Sequence, residues 1–288
     1  MNSSTDLDPE LELHLSEADI DFVNELARHC GQMAISLRDG VTIKEKSGPD
    51  DPMTSADEEL SRLIVKELSE RFPGDLVISE EDKSHPEIVE SDRVWLIDPI
   101  DGTKNYIKRN GQYSVMIGLL VDKKPVYGFV CEAEYDRLYF GGPGHGAYIS
   151  REGGKAESLS CSNDLEANDR ARLIMGNRDR NKNPWVEQLE NVDLIKTGSI
   201  GLKIARILEG EADVMVHLSG RLKTWDTAGP AAIALGGNLE VGTLDAPELC
   251  FPLPNLVHEE EVIMGRNGCL SWCKTRLVRP DSKETGGS

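Results

Sequence analysis

Five short apolar runs between residues 76 and 142 constrain the fold more than any other feature of the chain. They read LVIS, VWLID, YSVMIGLLV, PVYGFVCEA and RLYFGG, and each has the length and the β-branched or aromatic content of a strand. The segment KKP joins the third run to the fourth, and EYD precedes the last; both are short enough for hairpin turns. The pattern predicts an antiparallel meander in the first half of the chain.

Helical patterns surround this meander. Apolar residues recur at helical spacing over 16–37, with Ser16 as a predicted N-cap, and a second helix is predicted from Ser55 to FPGD. After residue 160, the strand-like RLIMG and VMVHL alternate with the helical PWVEQLENV, GLKIARILEGEAD and WDTAGPAAIALGG. Gly210 is predicted to end the second of these helices, and Pro230 to lie in the first turn of the third.

The length of 288 residues exceeds that of a usual single domain. With a meander in one half and alternating elements in the other, the fold class is predicted as α/β (α+β). We expect two packed subdomains, residues 15–160 and 161–279, with a cleft between them.

The charge of the chain limits its partners. Its formal net charge is -19, from 51 acidic and 32 basic residues. The summed field repels phosphates, which argues against nucleic acid and anionic membranes as general partners. No run of 18 apolar residues occurs, so no membrane span is predicted. A phosphorylated substrate would therefore need local cations, such as metal ions, to be held.

The N-terminus and the cysteines bear on the compartment. The first residues, MNSSTDLDPELELHL, are acidic and lack the basic and apolar regions of a signal peptide. The six cysteines are scattered, and the closest two have three residues between them, which fits neither a CxxC redox pair nor half of a common zinc site. Reduced thiols and a cytoplasmic location are predicted, although a disulfide between some pair stays open.

The stretch VWLIDPIDGTKNY places two carboxylates at the end of a predicted strand. Asp98 ends the apolar run, and Asp101-Gly102 forms a turn before a helix that starts near Thr103. Two ionised carboxylates so close together need a proton or a cation between them, and oxygen ligands alone favour Mg²⁺. The free N–H groups at the helix start form an anion site. A turn with an N-cap would explain only one of the two acids.

Three other acidic segments are ambiguous when taken singly. Glu80, Glu81 and Asp82 follow LVIS and fit a solvated turn. Asp226 in TWDTAG fits an ordinary N-cap, and Asp57 in TSADEE fits a capping box.

In their joint order, the segments DPMTSAD, SEED, WLIDPIDGTKNY and WDTAGPAA resemble the inositol monophosphatase-like, lithium-sensitive phosphatase superfamily. The resemblance covers roughly residues 20–265. It implies a layered αβαβα sandwich with an antiparallel meander half and a smaller α/β half. It also implies hydrolysis of a small phosphate ester with two to three Mg²⁺ ions.

The resemblance implies a role for each matching residue. The metal ligands would be Glu81, Asp98, the carbonyl of Ile100, Asp101 and Asp226. Asp57 and Thr103 would orient and deprotonate the attacking water, and Lys46 would complete the site. The implied substrate contacts are Glu81, Ile100, Asp101, Gly102, Thr103, Ser199, Lys203, Lys223 and Asp226.

Two lysines favour one branch of the superfamily. Lys203 in GLKIARILEG and Lys223 in RLKTWDTA are similar to basic residues of the 3'(2'),5'-bisphosphate nucleotidases. Those enzymes of sulfur assimilation act on 3'-phosphoadenosine 5'-phosphate and its sulfated relative. A second phosphate needs a cationic site away from the metals, which these lysines would supply. The Ser-Arg-Ser-His segment of many nucleotidases reads GNRDRN here, with Arg178 kept and Arg180 in place of histidine.

Other functions stay open. An inositol monophosphatase or a fructose-1,6-bisphosphatase-type sugar phosphatase would use the same metal residues. A non-catalytic phospholigand-binding protein is a further alternative, but it would have no need for Asp57 together with Thr103. A homodimer is also left open.

Overall fold

The computed structural model describes residues 14–46, 52–82, 93–161 and 163–277. The strands are β1 (Ile43–Glu45), β2 (Pro52–Thr54), β3 (Leu76–Ser79), β4 (Arg93–Asp101), β5 (Ser114–Val121), β6 (Lys124–Glu132), β7 (Arg137–Gly142), β8 (Gly146–Arg151), β9 (Glu157–Leu159), β10 (Ala171–Met175), β11 (Val192–Lys196), β12 (Val214–His217), β13 (Glu240–Gly242) and β14 (Val262–Gly265). The helices are α1 (Glu17–Leu37), α2 (Ser55–Arg71), α3 (Thr103–Ile107), α4 (Asn177–Lys182), α5 (Ile200–Leu208), α6 (Thr224–Gly236) and α7 (Cys269–Arg276). Short 3₁₀ segments cover Arg38–Gly40, Ala133–Tyr135 and Pro184–Gln188.

The larger sheet confirms the predicted antiparallel meander from β4 onward, but the prediction was wrong for its first pair, because β3 runs parallel to β4. It has seven strands in the order β3-β4-β5-β6-β7-β8-β9. Strands β3 and β4 are parallel, and every later neighbour is antiparallel. Asp122 and Lys123 join β5 to β6 with φ of 50° and 62°, as a tight hairpin turn that follows the strand twist requires.

The smaller sheet has five strands in the order β11-β10-β12-β14-β13. Strands β11, β10 and β12 are parallel, whereas β14 is antiparallel to both of its neighbours. Its strands all follow residue 160, and those of the larger sheet all precede it. One buried apolar cluster nevertheless contains residues of both halves, including Leu96 and Met116 with Ile204 and Ala231. The division into subdomains 15–160 and 161–279 therefore stays a prediction.

The helices form layers around the two sheets. Helices α1 and α2 pack on one face of the larger sheet. Helices α5 and α6 lie between the sheets, and α7 covers the outer face of the smaller one. This five-layer order confirms the predicted αβαβα sandwich.

Helix α6 packs very closely on the larger sheet. A Cβ atom added at Gly128 of β6 would lie 2.0 Å from the carbonyl oxygen of Gly229, so only glycine permits this approach. The close packing fixes the N-terminal end of α6, which carries Asp226. The prediction for Pro230 was wrong: α6 begins at Thr224, so Pro230 lies inside the helix and not in its first turn.

The described part of the chain contains no helix long and apolar enough to cross a membrane. All six cysteines are free thiols, and four of them are buried. The predicted helix in PWVEQLENV is only the short 3₁₀ segment Pro184–Gln188, followed by β11.

Candidate active site

Three carboxylates from separate elements meet at one end of the larger sheet. In the parallel pair β3–β4, Ser79 lies opposite Ile97, and the N–H of Glu80 donates to the carbonyl of Ile97 (3.0 Å). Glu80 therefore stands beside Asp98, and Asp226 enters from the first turn of α6. One oxygen from each of Glu80, Asp98 and Asp226 lies within 4.8 Å of the other two.

This three-carboxylate group fits an oxygen-preferring divalent cation. Burial, followed by the charges of neighbouring acids, raises the pKa of Asp98 and of Asp226 well above the ordinary aspartate range. Buried carboxylates held this close are stable when ionised only with a counter-charge among them. Because all three donors are hard oxygens, Mg²⁺ suits the group.

Glu80 is the site residue that the sequence analysis missed. The implied ligand was Glu81, but Glu81 lies one residue beyond the parallel register and its carboxylate accepts from the Lys46 ammonium (2.6 Å). Lys46 also bridges to Glu80 (2.8 Å). Burial raises the pKa of Glu81 to about 7, and Lys46 opposes the shift. A ligand role for Glu81 stays a prediction, whereas the geometry places Glu80 in the carboxylate group.

Asp101 connects the two halves of the molecule. Its carboxylate accepts from the backbone N–H groups of Ile200 and Gly201, at the start of α5. The N-cap of that helix is Ser199, whose hydroxyl lies 2.7 Å from that of Ser114 on β5. Asp101 lies outside the three-carboxylate group, although its charge acts on both Asp98 and Asp226. Its ligand role stays a prediction.

The two carboxylate oxygens of Asp57 have different partners: one caps helix α2, and the other faces the Thr103 hydroxyl. One carboxylate oxygen accepts from the N–H and the hydroxyl of Thr54 (2.8 and 2.6 Å), which closes the capping box of α2. The other oxygen accepts from the Thr103 hydroxyl (3.4 Å). Burial raises the pKa of Asp57 to about 6. A buried carboxylate with one oxygen turned toward a hydroxyl has the arrangement of a general base.

The turn before α3 brings Thr103 to this position. Gly102 has φ of 93°, and a Cβ there would lie 2.9 Å from the carbonyl oxygen of Gln112. Only glycine tolerates this conformation without strain. The hydroxyl of Thr103 also lies 3.2 Å from the Ile100 carbonyl. The metal role of Ile100 and the phosphate contacts of Gly102 and Thr103 remain predictions.

The two lysines lie in different surroundings. Lys203 is buried, its ammonium donates to the Gly198 carbonyl (3.2 Å), and burial lowers its pKa against the charges of Asp101, Asp179 and Asp226. It is thus beside the acids and not at a separate cationic site. Lys223 places its ammonium 5.9 Å from the centre of the Trp225 ring. The substrate roles of Lys203, Lys223 and Ser199 stay predictions.

The register predicts that the two adjacent glutamates differ in function. We expect Glu80→Gln to weaken Mg²⁺ binding about tenfold more than Glu81→Gln, because only Glu80 lies in the three-carboxylate group. Titration calorimetry with Mg²⁺ in the absence of substrate measures the difference. Equal losses in the two variants would contradict the register argument.

The buried acids predict a pH-dependent stability of the metal-free protein. The pKa values of Asp57 and Glu81, about 6 and about 7, are raised chiefly by burial. A carboxyl group with a raised pKa favours the folded state at low pH, and that contribution is lost as the pH rises through the folded value. Burial lowers the pKa of His217 and of His258 to about 4, so these two groups favour the folded state more as the pH rises toward about 6.5. The metal-free Tm should therefore fall in the range above, from about pH 6.5 to about 8. Mg²⁺ at a hundred times its Kd adds about 2.7 kcal/mol to the free energy of unfolding. The rise in Tm on adding Mg²⁺ should therefore be larger at the higher pH.

Calorimetric scans with Mg²⁺, and with KCl at matched ionic strength as the control, measure this effect. An equal shift of Tm by Mg²⁺ at both pH values would show that these carboxylates do not take part in binding.

Comparison with known proteins agrees with this geometry. Residues 16–266 match the inositol monophosphatase family. The chain is 32% identical over 230 residues to the 3'(2'),5'-bisphosphate nucleotidase CysQ of Salmonella typhimurium, covering 77% of this chain and 89% of that one. It is 27% identical over 200 residues to the inositol-1-monophosphatase of Bacillus subtilis, covering 67% and 72%.

A solved structure shows the same likeness. The crystal structure of CysQ from Bacteroides thetaiotaomicron superposes with a TM-score of 0.69 at 26% identity, over 88% of this chain and 99% of that one. The family match covers most of the sequence, and the carboxylates that meet in space come from the motifs that first indicated the resemblance. The chain belongs to the inositol monophosphatase family of phosphatases.

Proposed function

We propose that the protein is a Mg²⁺-dependent 3'(2'),5'-bisphosphate nucleotidase. It would hydrolyse the 3'(2')-phosphate of adenosine 3'(2'),5'-bisphosphate, and of its sulfated relative, leaving the 5'-phosphate in place. The observation that supports phosphate-ester hydrolysis is the three-carboxylate group of Glu80, Asp98 and Asp226, with the Asp57–Thr103 pair beside it. The 32% identity to a CysQ nucleotidase supports this substrate class.

Glu80, Asp98 and Asp226 would hold Mg²⁺, and Glu81, Asp101 and the Ile100 carbonyl would complete the coordination of two to three ions. Bound Mg²⁺ neutralises phosphoryl oxygens and lowers the pKa of its water. The chain contributes the positions of these oxygens, since Glu80 directly follows β3, Asp98 lies in β4 and Asp226 lies in the first turn of α6.

Asp57 and Thr103 accept the proton of the attacking water. The Thr103 hydroxyl lies 3.4 Å from the free oxygen of Asp57 and 3.2 Å from the Ile100 carbonyl. When its one hydrogen is donated to Asp57, a lone pair of the same hydroxyl can accept a hydrogen from water. As the water loses its proton, that proton passes to the hydroxyl, and the hydroxyl hydrogen passes to Asp57. A carboxyl group with a pKa of about 6 is largely ionised at neutral pH and still close to the operating pH, which favours the transfer.

A second candidate is an inositol monophosphatase. The 27% identity to the Bacillus subtilis inositol-1-monophosphatase favours it, because the same metal residues serve both chemistries. A fructose-1,6-bisphosphatase-type activity would use them as well. A non-catalytic phospholigand-binding protein is disfavoured, since ligand binding alone does not need the Asp57–Thr103 pair.

A steady-state comparison tests the proposal. Purified protein with Mg²⁺ is assayed on 3'-phosphoadenosine 5'-phosphate, inositol 1-phosphate and fructose 1,6-bisphosphate, with chelator in a parallel series. We expect kcat/KM to be at least about tenfold higher for the nucleotide, and activity to vanish on chelation. Preference for either other ester would contradict the nucleotidase assignment. Ligand binding without turnover of any ester would support the non-catalytic alternative.

The remaining proposals follow from the enzyme class. We infer a role in sulfur assimilation and a cytoplasmic location, with a small phosphorylated substrate as the main partner. A homodimer stays a hypothesis, for which light scattering of the purified protein is the direct measurement.

A further inference from the structure

The start of α6 is hydrogen-bonded to a separate segment of the chain, residues 250–258, which precedes β14. The backbone N–H of His258 donates to the Leu222 carbonyl (2.8 Å). In the opposite direction, the N–H of Thr224 donates to the Leu256 carbonyl (3.1 Å). The two bonds flank an antiparallel bridge, so the residues that lead into α6 are held as one side of a short strand pair.

His258 adds a side-chain contact to these backbone bonds. Its Nε2 lies 2.7 Å from the hydroxyl oxygen of Thr227, the residue directly after Asp226. Both side chains belong to buried residues, with 4% of His258 and 0% of Thr227 exposed. The ring packs edge-on against Phe251, with the two ring centres 5.5 Å apart. Because the contact is buried, water does not readily replace either partner.

The imidazole is neutral at physiological pH. Burial lowers the pKa of His258 to about 4, although the Cys250 backbone opposes the shift. A neutral ring nitrogen either donates or accepts, and a hydroxyl group can do both, so this pair forms one hydrogen bond in either tautomer. Removal of one partner would leave the other buried and unpaired, which is unfavourable.

The turn that His258 contacts also orients Asp226. The Asp226 carboxylate accepts from the backbone N–H of Lys223 (2.8 Å), and Lys223 lies in the stretch that the 250–258 segment holds. Glu80 and Asp98 belong to the larger sheet, whereas Asp226 comes from α6. A displacement of the first turn of α6 would therefore move one carboxylate of the group relative to the other two.

We propose that His258 is a positioning residue for Asp226: through Thr227 it holds the first turn of α6 where the Asp226 carboxylate meets those of Glu80 and Asp98. It acts only through Thr227 and is not itself a catalytic residue. The inference rests on the proposed Mg²⁺ ligand role of Asp226. It extends the set of residues that determine metal affinity to a segment outside the acidic motifs.

Packing alone is the competing explanation for a buried histidine. A residue that only fills space contributes to the stability of the protein, and an apolar side chain of similar size can replace it. A positioning residue also maintains the arrangement of the carboxylates, so its loss changes the affinity for Mg²⁺ in a protein that is still folded. The affinity therefore separates the two roles, and Tm alone does not.

Titration calorimetry with Mg²⁺, in the absence of substrate, measures the affinity of each variant. We expect His258→Leu and Thr227→Val each to weaken Mg²⁺ binding about tenfold, since each removes one side of the same hydrogen bond. The double variant should bind no more weakly than the weaker single variant, because the second change removes a bond that is already lost. His258→Gln, whose amide group can donate or accept, should recover most of the affinity.

Thr243→Val is the matched control for Thr227→Val. Thr243 is also buried, and its hydroxyl accepts from the N–H groups of Asp245 and Ala246 (3.1 and 2.9 Å) in the turn after β13. We expect this control to lower the Tm of the metal-free protein and to leave the Mg²⁺ affinity within about twofold of the wild type. All titrations are made at a temperature where circular dichroism shows each variant to be folded.

Unchanged Mg²⁺ affinity in His258→Leu and Thr227→Val would assign the histidine to packing and overturn the inference. Additive losses in the double variant would overturn it as well, because they would show that the two residues act independently. If His258→Leu does not fold, Thr227→Val, which keeps the shape of threonine, decides the outcome. Absence of Mg²⁺ binding by the wild-type protein would instead overturn the proposed function, and this inference with it.

Discussion

Replacement of Asp98 by asparagine should reduce kcat by about 10³ or more. Asp98 is buried at the end of β4, and its oxygen lies within 4.8 Å of those of Glu80 and Asp226. Asparagine keeps the shape of the side chain and one oxygen but removes the negative charge that holds a divalent cation.

The same substitution should leave the metal-free protein at least as stable as the wild type. The pKa of Asp98 is raised by burial and by neighbouring acids, so its ionised form destabilises the empty site. At pH 8 we therefore expect the Tm of the metal-free variant to equal or exceed that of the wild type, and the gain on adding Mg²⁺ to be smaller. Asp122→Asn, at the exposed tip of the β5–β6 hairpin, is the control. Near-normal kcat in Asp98→Asn would show that the ligand assignment is wrong.

Asp57→Asn should lower kcat by about 10² to 10⁴ while KM stays within about threefold. Asparagine can still accept from Thr54 through its oxygen and so keep the cap of α2, but its NH₂ group cannot take a proton from Thr103. Single-turnover kinetics separate the chemical step from product release. Glu58→Gln is a matched control, because Glu58 lies in the same helical turn and pairs with exposed Lys44.

A higher KM with unchanged kcat would show that Asp57 only caps the helix. A lower kcat with a higher KM, together with a lower Tm, would show that the substitution disrupted the helix cap and not the proton transfer.

Local signals in the sequence were sufficient for part of the fold. The structure confirms Ser16 as the N-cap of α1. For α2 the sequence allowed a capping box from Thr54 or from Ser55, and the structure has the one from Thr54 to Asp57. The β5–β6 hairpin follows from two strand-like runs with a short polar turn. The fold class and the family are also confirmed, since the acidic motifs kept their order and spacing.

Other features depend on tertiary contacts that a single sequence does not display. Glu80 and Glu81 are chemically the same, and only the parallel register of β3 and β4 separates them. Strands β13 and β14 are too short to produce a clear periodicity, and β14 pairs with β12 across a long stretch of chain.

Helix α5 gives the core an influence on the metal site. Its first N–H groups hold Asp101, while its body packs against β5 and β6 on one side and β12 and β14 on the other. A Cβ added at Gly201 would lie 2.6 Å from Val130, so even one methyl group would push the helix away from the larger sheet and carry the Asp101 contact with it. On the proposed ligand role of Asp101, the affinity for Mg²⁺ would therefore depend on how α5 packs in the interior. Substitutions far from any ligand can register as metal-binding defects, and a screen for weakened Mg²⁺ affinity would collect core variants along with variants of the carboxylates.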